Sequence, residues 1–147
     1  MIVKDNLKSP QGLSLDLKQR KIYWCDSEMS GLFSVDYEGH YREVLLKGQT
    51  TKWLSRPVDV AYFEGRLYWL DEAFNSGSVS SVSTIVNDNP EILAQKLGHD
   101  VHDIKIMSKK NQQGNFFTIF QKIFIFFPFL TSRLFLDTFI SFHCELF

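Results

Sequence analysis

The pentad Ile22-Tyr23-Trp24-Cys25-Asp26 returns 45 residues later as Leu67-Tyr68-Trp69-Leu70-Asp71. No other feature of the chain constrains its fold as tightly, because the surroundings repeat too. A proline and an alternating apolar run precede each copy, Pro10 with Leu13, Leu15 and Leu17, then Pro57 with Val58, Val60 and Tyr62. A short polar stretch closing on Gly31 or Gly77 follows, and then a second alternating run. Self-similarity at about 40 to 50 residues with short strands is the mark of stacked units that cannot bury their apolar faces alone, and it is the range of propeller blades.

The pentads do not alternate. Ile22 and Trp24 share one parity and Tyr23 and Cys25 the other, and all four are apolar or aromatic. Such a strand needs cover on both faces, as an inner strand between neighbouring sheets has. The Asp closing each copy is costly there unless backbone donors or a cation satisfy it. Asp26 and Asp71 therefore read as structural acceptors that tie neighbouring strands, in preference to catalytic groups. Around them, Leu13, Leu15 and Leu17 are expected on one face of a half-buried strand. Phe33 and Val35 share a face of the next, and Glu38-Gly39 turns into a strand over 41–46. The second unit repeats the plan with strands over 58–62, 67–70, 78–85 and 92–97, a hairpin at Glu64-Gly65 and a turn over 87–90. Residues 1–9 would supply the last strand of a preceding unit. Residues 102–108 would open a further one or close a ring.

These residues resemble the YWTD (class B) repeats of the low-density lipoprotein receptor family, whose pattern runs Pro-x-Gly-Leu-x-x-Asp, aliphatic-Tyr-Trp-Thr-Asp, then an Asp-Gly hairpin. The first unit reads Pro10-Gln11-Gly12-Leu13-Ser14-Leu15-Asp16, the pentad, then Val35-Asp36-Tyr37-Glu38-Gly39. The second frays: Val58-Asp59 stands where Gly-Leu is expected, and Leu70 replaces the Thr. His102-Asp103-Ile104-Lys105-Ile106 resembles the closing strand of such a propeller in the giant megalin-like members, just before an EGF-like module. The resemblance implies an all-β fold, about two four-stranded antiparallel blades of an incomplete six-bladed propeller. The units span about 10–56 and 57–97, with a closing strand at 102–108. Tyr23, Trp24, Asp26, Tyr68, Trp69 and Asp71 would be structural. Two blades of six leave faces and strand edges bare, so residues 1–114 alone are expected to be poorly soluble.

Residues 115–147 differ in kind. Eleven of the 14 Phe lie there, while most charges lie before. A membrane span needs about 20 consecutive apolar residues, and Lys122, Pro128, Arg133 and Asp137 cut the stretch into short pieces. A buried strand pair is a second reading, against which stands the aggregation hazard of so many Phe. The favoured reading is an aberrant tail that is not a native domain, of the kind that translating a T-rich intron produces.

Function classes narrow by exclusion. The formal net charge of -1 points to neither nucleic acid nor an anionic membrane surface. Cys25 and Cys144 suggest no disulfide framework. Met1-Ile2-Val3-Lys4-Asp5 has no apolar signal-peptide core and enters the pattern part-way through a unit, so an interior position of something longer is expected. There is no phosphate loop, zinc spacing, nucleophile elbow or EF-hand loop. His99 and His102 with Asp100 and Asp103 read as a solvated polar turn. Neither enzyme chemistry, a cofactor nor a metal is expected.

Binding would fall to loops on one rim, residues 27–30, 49–56, 72–76 and 98–101. Trp53 and Phe74 are large aromatics in polar loops, either partner anchors or plugs packing back on the sheets. Glu28, Glu72, Lys52 and Arg56 could surround them. The resemblance implies the extracellular part of a single-pass membrane receptor that takes up protein or lipoprotein ligands and releases them at endosomal pH. His40, His99 and His102 fit such pH sensing only in titrating near the right range. A matrix or signalling scaffold propeller of the nidogen or growth-factor-precursor kind is the alternative, and a non-functional truncated product a third.

Overall fold

The computed structural model describes residues 2–49, 53–86, 88–98, 102–107, 122–126 and 135–136. Strands β1 (Pro10–Asp16), β2 (Lys21–Asp26), β3 (Gly31–Asp36) and β4 (Glu43–Lys47) form an antiparallel sheet in chain order. A second sheet repeats it with β5 (Pro57–Phe63), β6 (Arg66–Asp71), β7 (Ser78–Ser83) and β8 (Glu91–Gln95), a 3-10 turn at Phe74–Ser76 lying between β6 and β7. β9 (Asp103–Met107) heads a third sheet, in the order β11-β10-β9, with β10 (Lys122–Phe126) and β11 (Phe135–Leu136).

The two complete sheets share one register. Pro10 lies opposite Asp26 and Pro57 opposite Asp71; each proline is followed by a bulge, after which Leu13 faces Trp24 and Val60 faces Trp69. This register corrects the alignment of the second unit. Asp59, paired with Leu70, takes the place of Gly12, and Val60 takes that of Leu13.

Several strands are shorter than their apolar runs, each for a local reason. Asp36 Oδ1 accepts the Glu38 and His40 amides at 3.1 and 2.6 Å, which prolongs the turn. Tyr41 consequently sits in the left-handed region at φ 51° and β4 begins at Glu43. Ser83 Oγ takes the Ile85 and Val86 amides, so β7 stops at Ser83. Lys96 turns left-handed at φ 61° and ends β8 at Gln95. At Glu64-Gly65 both φ angles are positive, 44° and 80°, as a two-residue hairpin demands.

The core lies between the sheets. Tyr23, Cys25 and Leu32 from the first meet Val60, Leu67, Trp69 and Val82 from the second, with Leu54 of the connection. The Tyr23 and Tyr62 rings stack at 4.9 Å and 13°. Ser14 Oγ accepts the Tyr62 amide at 2.8 Å, which ties β1 to β5. On its far side the second sheet buries Tyr68, Leu70 and Val79 against Ile104 of β9, with Ile106 packed alongside.

One burial expectation is reversed. Leu13, Leu15 and Leu17 are 64%, 46% and 77% exposed, and the opposite parity, Gly12, Ser14 and Asp16, turns toward the second sheet. The register gives the reason. Their counterparts Val60 and Tyr62 are covered by the first sheet, so Leu13 and Leu15 lie on the face that a sheet on the N-terminal side would cover. Residues 2–9 contain no strand. They are held instead by Arg42, whose Nη1 and Nη2 donate to the Asp5 and Asn6 carbonyls at 2.6 and 2.8 Å. Its guanidinium lies 5.2 Å from the Trp24 ring centre and 5.4 Å from that of Phe33.

In the Phe-rich tract, 122–126 pair with β9, from Lys122 opposite Met107 to Phe126 opposite Asp103. Phe135–Leu136 pair with β10 in turn; 108–121, 127–134 and 137–147, with Cys144, lie outside the described residues. Among the described residues, no helix is long and apolar enough to cross a membrane.

A Cβ on Gly12 would lie 2.5 Å from Asp59 Cα and 2.7 Å from the Val60 nitrogen, both main-chain atoms that cannot swing away. Gly12→Ala is therefore expected to destabilise the full chain by about 1–3 kcal/mol. Urea unfolding followed by tryptophan fluorescence measures it, and an unchanged midpoint would show that the sheets do not approach this closely.

Candidate functional site

Each sheet ends in the same carboxylate bracket. Asp26 accepts the Lys8 amide at 2.9 Å, the Ser9 amide at 3.1 Å and the Met29 amide at 2.9 Å. Asp71 does likewise with Ser55 at 2.7 Å, Arg56 at 2.9 Å, Ala73 at 3.0 Å and Phe74 at 2.8 Å. Both carboxylates are fully buried. Each pins the segment entering its sheet to the loop that leaves the pentad. A second bond seals each bracket, Ser27 N to Ser9 O at 3.0 Å and Glu72 N to Arg56 O at 3.2 Å.

The loops at this end are tied within each sheet and, through Ser30, to the segment entering the second. Ser30 Oγ donates to the Ser55 carbonyl at 2.5 Å, Gly48 N to Ser30 O at 2.7 Å, and Leu97 N to Gly77 O at 3.1 Å. On this frame the Trp53 and Phe74 rings meet edge to face, centres 6.2 Å apart at 69°. Arg56 and Glu72 form an ion pair beside them, the glutamate side chain mostly covered and the guanidinium largely exposed. Trp53 also packs against the core between the sheets, so it is anchored inward while part of its ring stays accessible.

Four of the sequence-selected rim residues, Trp53, Arg56, Glu72 and Phe74, thus come together. Glu28 does not join them. It stands in the corresponding loop of the first sheet, 3.7 Å from the Lys8 ammonium, with both side chains exposed. Lys52, His99 and Asp100 lie outside the described residues. Tyr23, Trp24, Tyr68 and Trp69 are buried, the first two stacked on Tyr62 and Phe33. Among the described residues, no group of three His, Cys, Asp or Glu is placed to hold a metal ion.

Sequence reasoning missed three polar groups. Asp16, buried, accepts the Lys18 and Gln19 amides at 2.9 and 3.0 Å and so shapes the β1–β2 turn. Arg42 holds the N-terminal segment. Asp59 carries an unusual carboxyl at the seam with β9. Only Asp16 and Asp59 left a trace, as a match and a departure within the repeat pattern.

Burial by itself would raise the Asp26 carboxyl, but the amides of Lys8, Met29, Ser9 and Glu28 hold it below its ordinary value. Its contribution to stability is then present above pH about 4 and lost as pH falls through the folded-state value. Asp26→Asn keeps the shape but turns an amide NH2 toward backbone donors. A loss of about 2–4 kcal/mol at pH 7 is expected, shrinking below pH about 4, in urea titrations of both proteins at each pH.

No model of a known protein family matches the chain. Among curated proteins, the vitellogenin receptor Yl of Drosophila melanogaster is 39% identical over 75 residues, 51% of this chain and 4% of that protein. Low-density lipoprotein receptor-related protein 4 of Homo sapiens is 31% identical over 104 residues, 70% of this chain and 5% of that protein. The chain thus spans about one-twentieth of the length of these relatives. Among solved structures, a chain of a nidogen/laminin complex superposes with TM-score 0.57 at 28% identity, covering 65% of this chain and 35% of that one. A luciferin-regenerating enzyme, at TM-score 0.54 and 16% identity over 82% of this chain and 38% of that one, shares the fold. With its twin pentads, common register and paired carboxylate brackets, the chain is a YWTD-repeat relative of the low-density lipoprotein receptor family, its two complete sheets blades of a β-propeller.

Proposed function

We propose that this propeller segment belongs to an extracellular receptor and that its rim, built on Trp53, Arg56, Glu72 and Phe74, binds a protein or lipoprotein ligand for endocytic uptake or release. The observation that carries this reading is the Trp53–Phe74 pair, held edge to face beside a buttressed arginine at the end where the inter-blade loops converge. Aromatic and arginine side chains already fixed in place lose little conformational freedom on binding, which is why such residues dominate interface energies. The similarity to a vitellogenin receptor and to a lipoprotein receptor-related protein supports this ligand class. Glu28 extends the rim along the first blade. Asp26 and Asp71, with the pentad aromatics, serve structure and not chemistry. Residues 1–114 are the propeller portion.

A second reading has its own support. The nidogen/laminin similarity favours a scaffold propeller that binds a matrix partner without uptake. Immobilised full-length chain, exposed in turn to vitellogenin, low-density lipoprotein and laminin, separates the two. Vitellogenin or lipoprotein binding, weakened about tenfold or more by Trp53→Ala or Phe74→Ala and unaltered by His40→Ala in the turn at the opposite end, supports the receptor. Laminin binding alone supports the scaffold, and binding indifferent to both aromatic substitutions removes the rim from consideration.

A further inference from the structure

The two blades differ in what lies opposite the ends of their pentads. In the first, Trp24 faces Phe33 and Asp26 faces Gly31; in the second, Trp69 faces Ser80 and Asp71 faces Ser78. Residues directly opposed on neighbouring strands send their side chains to one face, so Ser78 and Ser80 share the Trp69 face, which is turned to the first blade. In the first blade the Phe33 ring stacks on Trp24, centres 5.4 Å apart at 19°. That ring also lies over Gly31, where a Cβ would fall 2.5 Å from its Cε2 and Cζ. A ring in this place therefore needs a glycine beneath it. The second blade breaks both conditions together, since Ser78 carries a Cβ and Ser80 carries no ring.

Two hydroxyl groups thus stand beside a tryptophan in a place that the first blade fills with hydrocarbon. Trp69, Ser78 and Ser80 are fully buried. Among the described residues no protein group is hydrogen-bonded to Trp69 Nε1, Ser78 Oγ or Ser80 Oγ. The indole by itself marks nothing, because Trp24 Nε1 is unpartnered too. What sets the second blade apart is the pair of serine oxygens on the same face. The side chains packed around Trp69, among them Leu32, Leu54 and Leu67, offer no hydrogen bond. Buried polar groups are costly to leave unpaired. An indole N–H is a donor only, whereas a serine oxygen accepts as well as donates. One donor and two acceptors turned into one buried space match a water molecule, which accepts from the first and donates to the other two.

We propose that Trp69, Ser78 and Ser80 form a binding site for internal water at the seam between the two blades, with Trp69 Nε1–H donating to the water and the water donating to Ser78 Oγ and Ser80 Oγ. The water takes the part in the second blade that the Phe33 ring takes in the first, covering the third strand beside the tryptophan. The two solutions are alternatives. A glycine with a phenylalanine gives a dry joint, and two serines give a hydrated one. A single exchange within either pair gives neither, because a ring over Ser78 meets its Cβ and one serine without the other leaves the water short of an acceptor.

Nuclear magnetic resonance and urea unfolding of the full chain test this. The Trp69 indole proton, identified by its loss in Trp69→Phe, is expected to show direct cross-relaxation with water while its own exchange with solvent stays slow. Ser80→Ala removes one of the water's acceptors and should raise the unfolding equilibrium constant about fivefold, and Ser78→Ala should do the same. In a dry site those hydroxyls are only a burden, and removing either would leave stability unchanged or raise it. Ser78→Gly combined with Ser80→Phe rebuilds the pair of the first blade and should fold with the water signal at Trp69 gone. The single alanine variants carry the test if that double variant fails to fold. A Trp69 indole without the water signal, a signal that persists in the double variant, or alanine variants at least as stable as the parent chain overturns the proposal.

Discussion

A strand with no polar face must be covered twice, and the architecture follows from meeting that demand at both pentads. Trp69 and Leu67 are covered by the first sheet, and Tyr68 and Leu70 by β9. Cys25 and Tyr23 are covered by the second sheet, while Trp24 draws on Phe33, Arg42 and the N-terminal segment. Full burial of an aromatic of this size is worth several times a surface contact, about 3–5 kcal/mol against truncation. Sheet-on-sheet stacking therefore outweighs any preference of the individual strands, and the chain becomes a row of nearly equivalent layers.

The same burial makes the closing carboxylates informative. A charge in so apolar a place is tolerable only because backbone amides from several residues converge on it, at Asp26 as at Asp71. Those amides belong to the segments that enter and leave each sheet. Charge satisfaction and loop placement are thus one event. Phe74, whose amide bonds to Asp71, is set against Trp53 by this bracket, and Arg56, whose amide bonds to the same carboxylate, is set against Glu72. The rim thus takes its rigidity from the strand ends as well as from its own ring and ion-pair contacts.

Equivalent layers need not have equivalent seams. Between the first and second sheets the contact is apolar with Ser14 as its polar tie, and the Gly12 main chain comes close. Between the second sheet and β9, Asp59 stands in the matching place and bonds across. Repetition fixes the spacing of the layers, while one residue per repeat sets whether a seam carries a carboxylate link.

The repeat, the strand count, the two-sided burial of the pentads and the family resemblance could all be read from the chain, because period and parity are properties of sequence spacing. So could the choice of Trp53, Arg56, Glu72 and Phe74, as large or charged residues in polar loops. Which side of β1 is covered could not. Alternation defines two faces of a strand but does not say which one a neighbour occupies, and here the polar face is the inner one because Gly12 and Ser14 permit close approach. The separation of Glu28 from the other rim residues, the service of Arg42 to the N-terminal segment and the partnership of Asp59 with β9 depend on contacts between residues up to 45 positions apart. The chain by itself determined what its layers are made of; the tertiary structure alone decided what each layer touches, since contact is settled by how whole sheets stack and not by the order of residues within one.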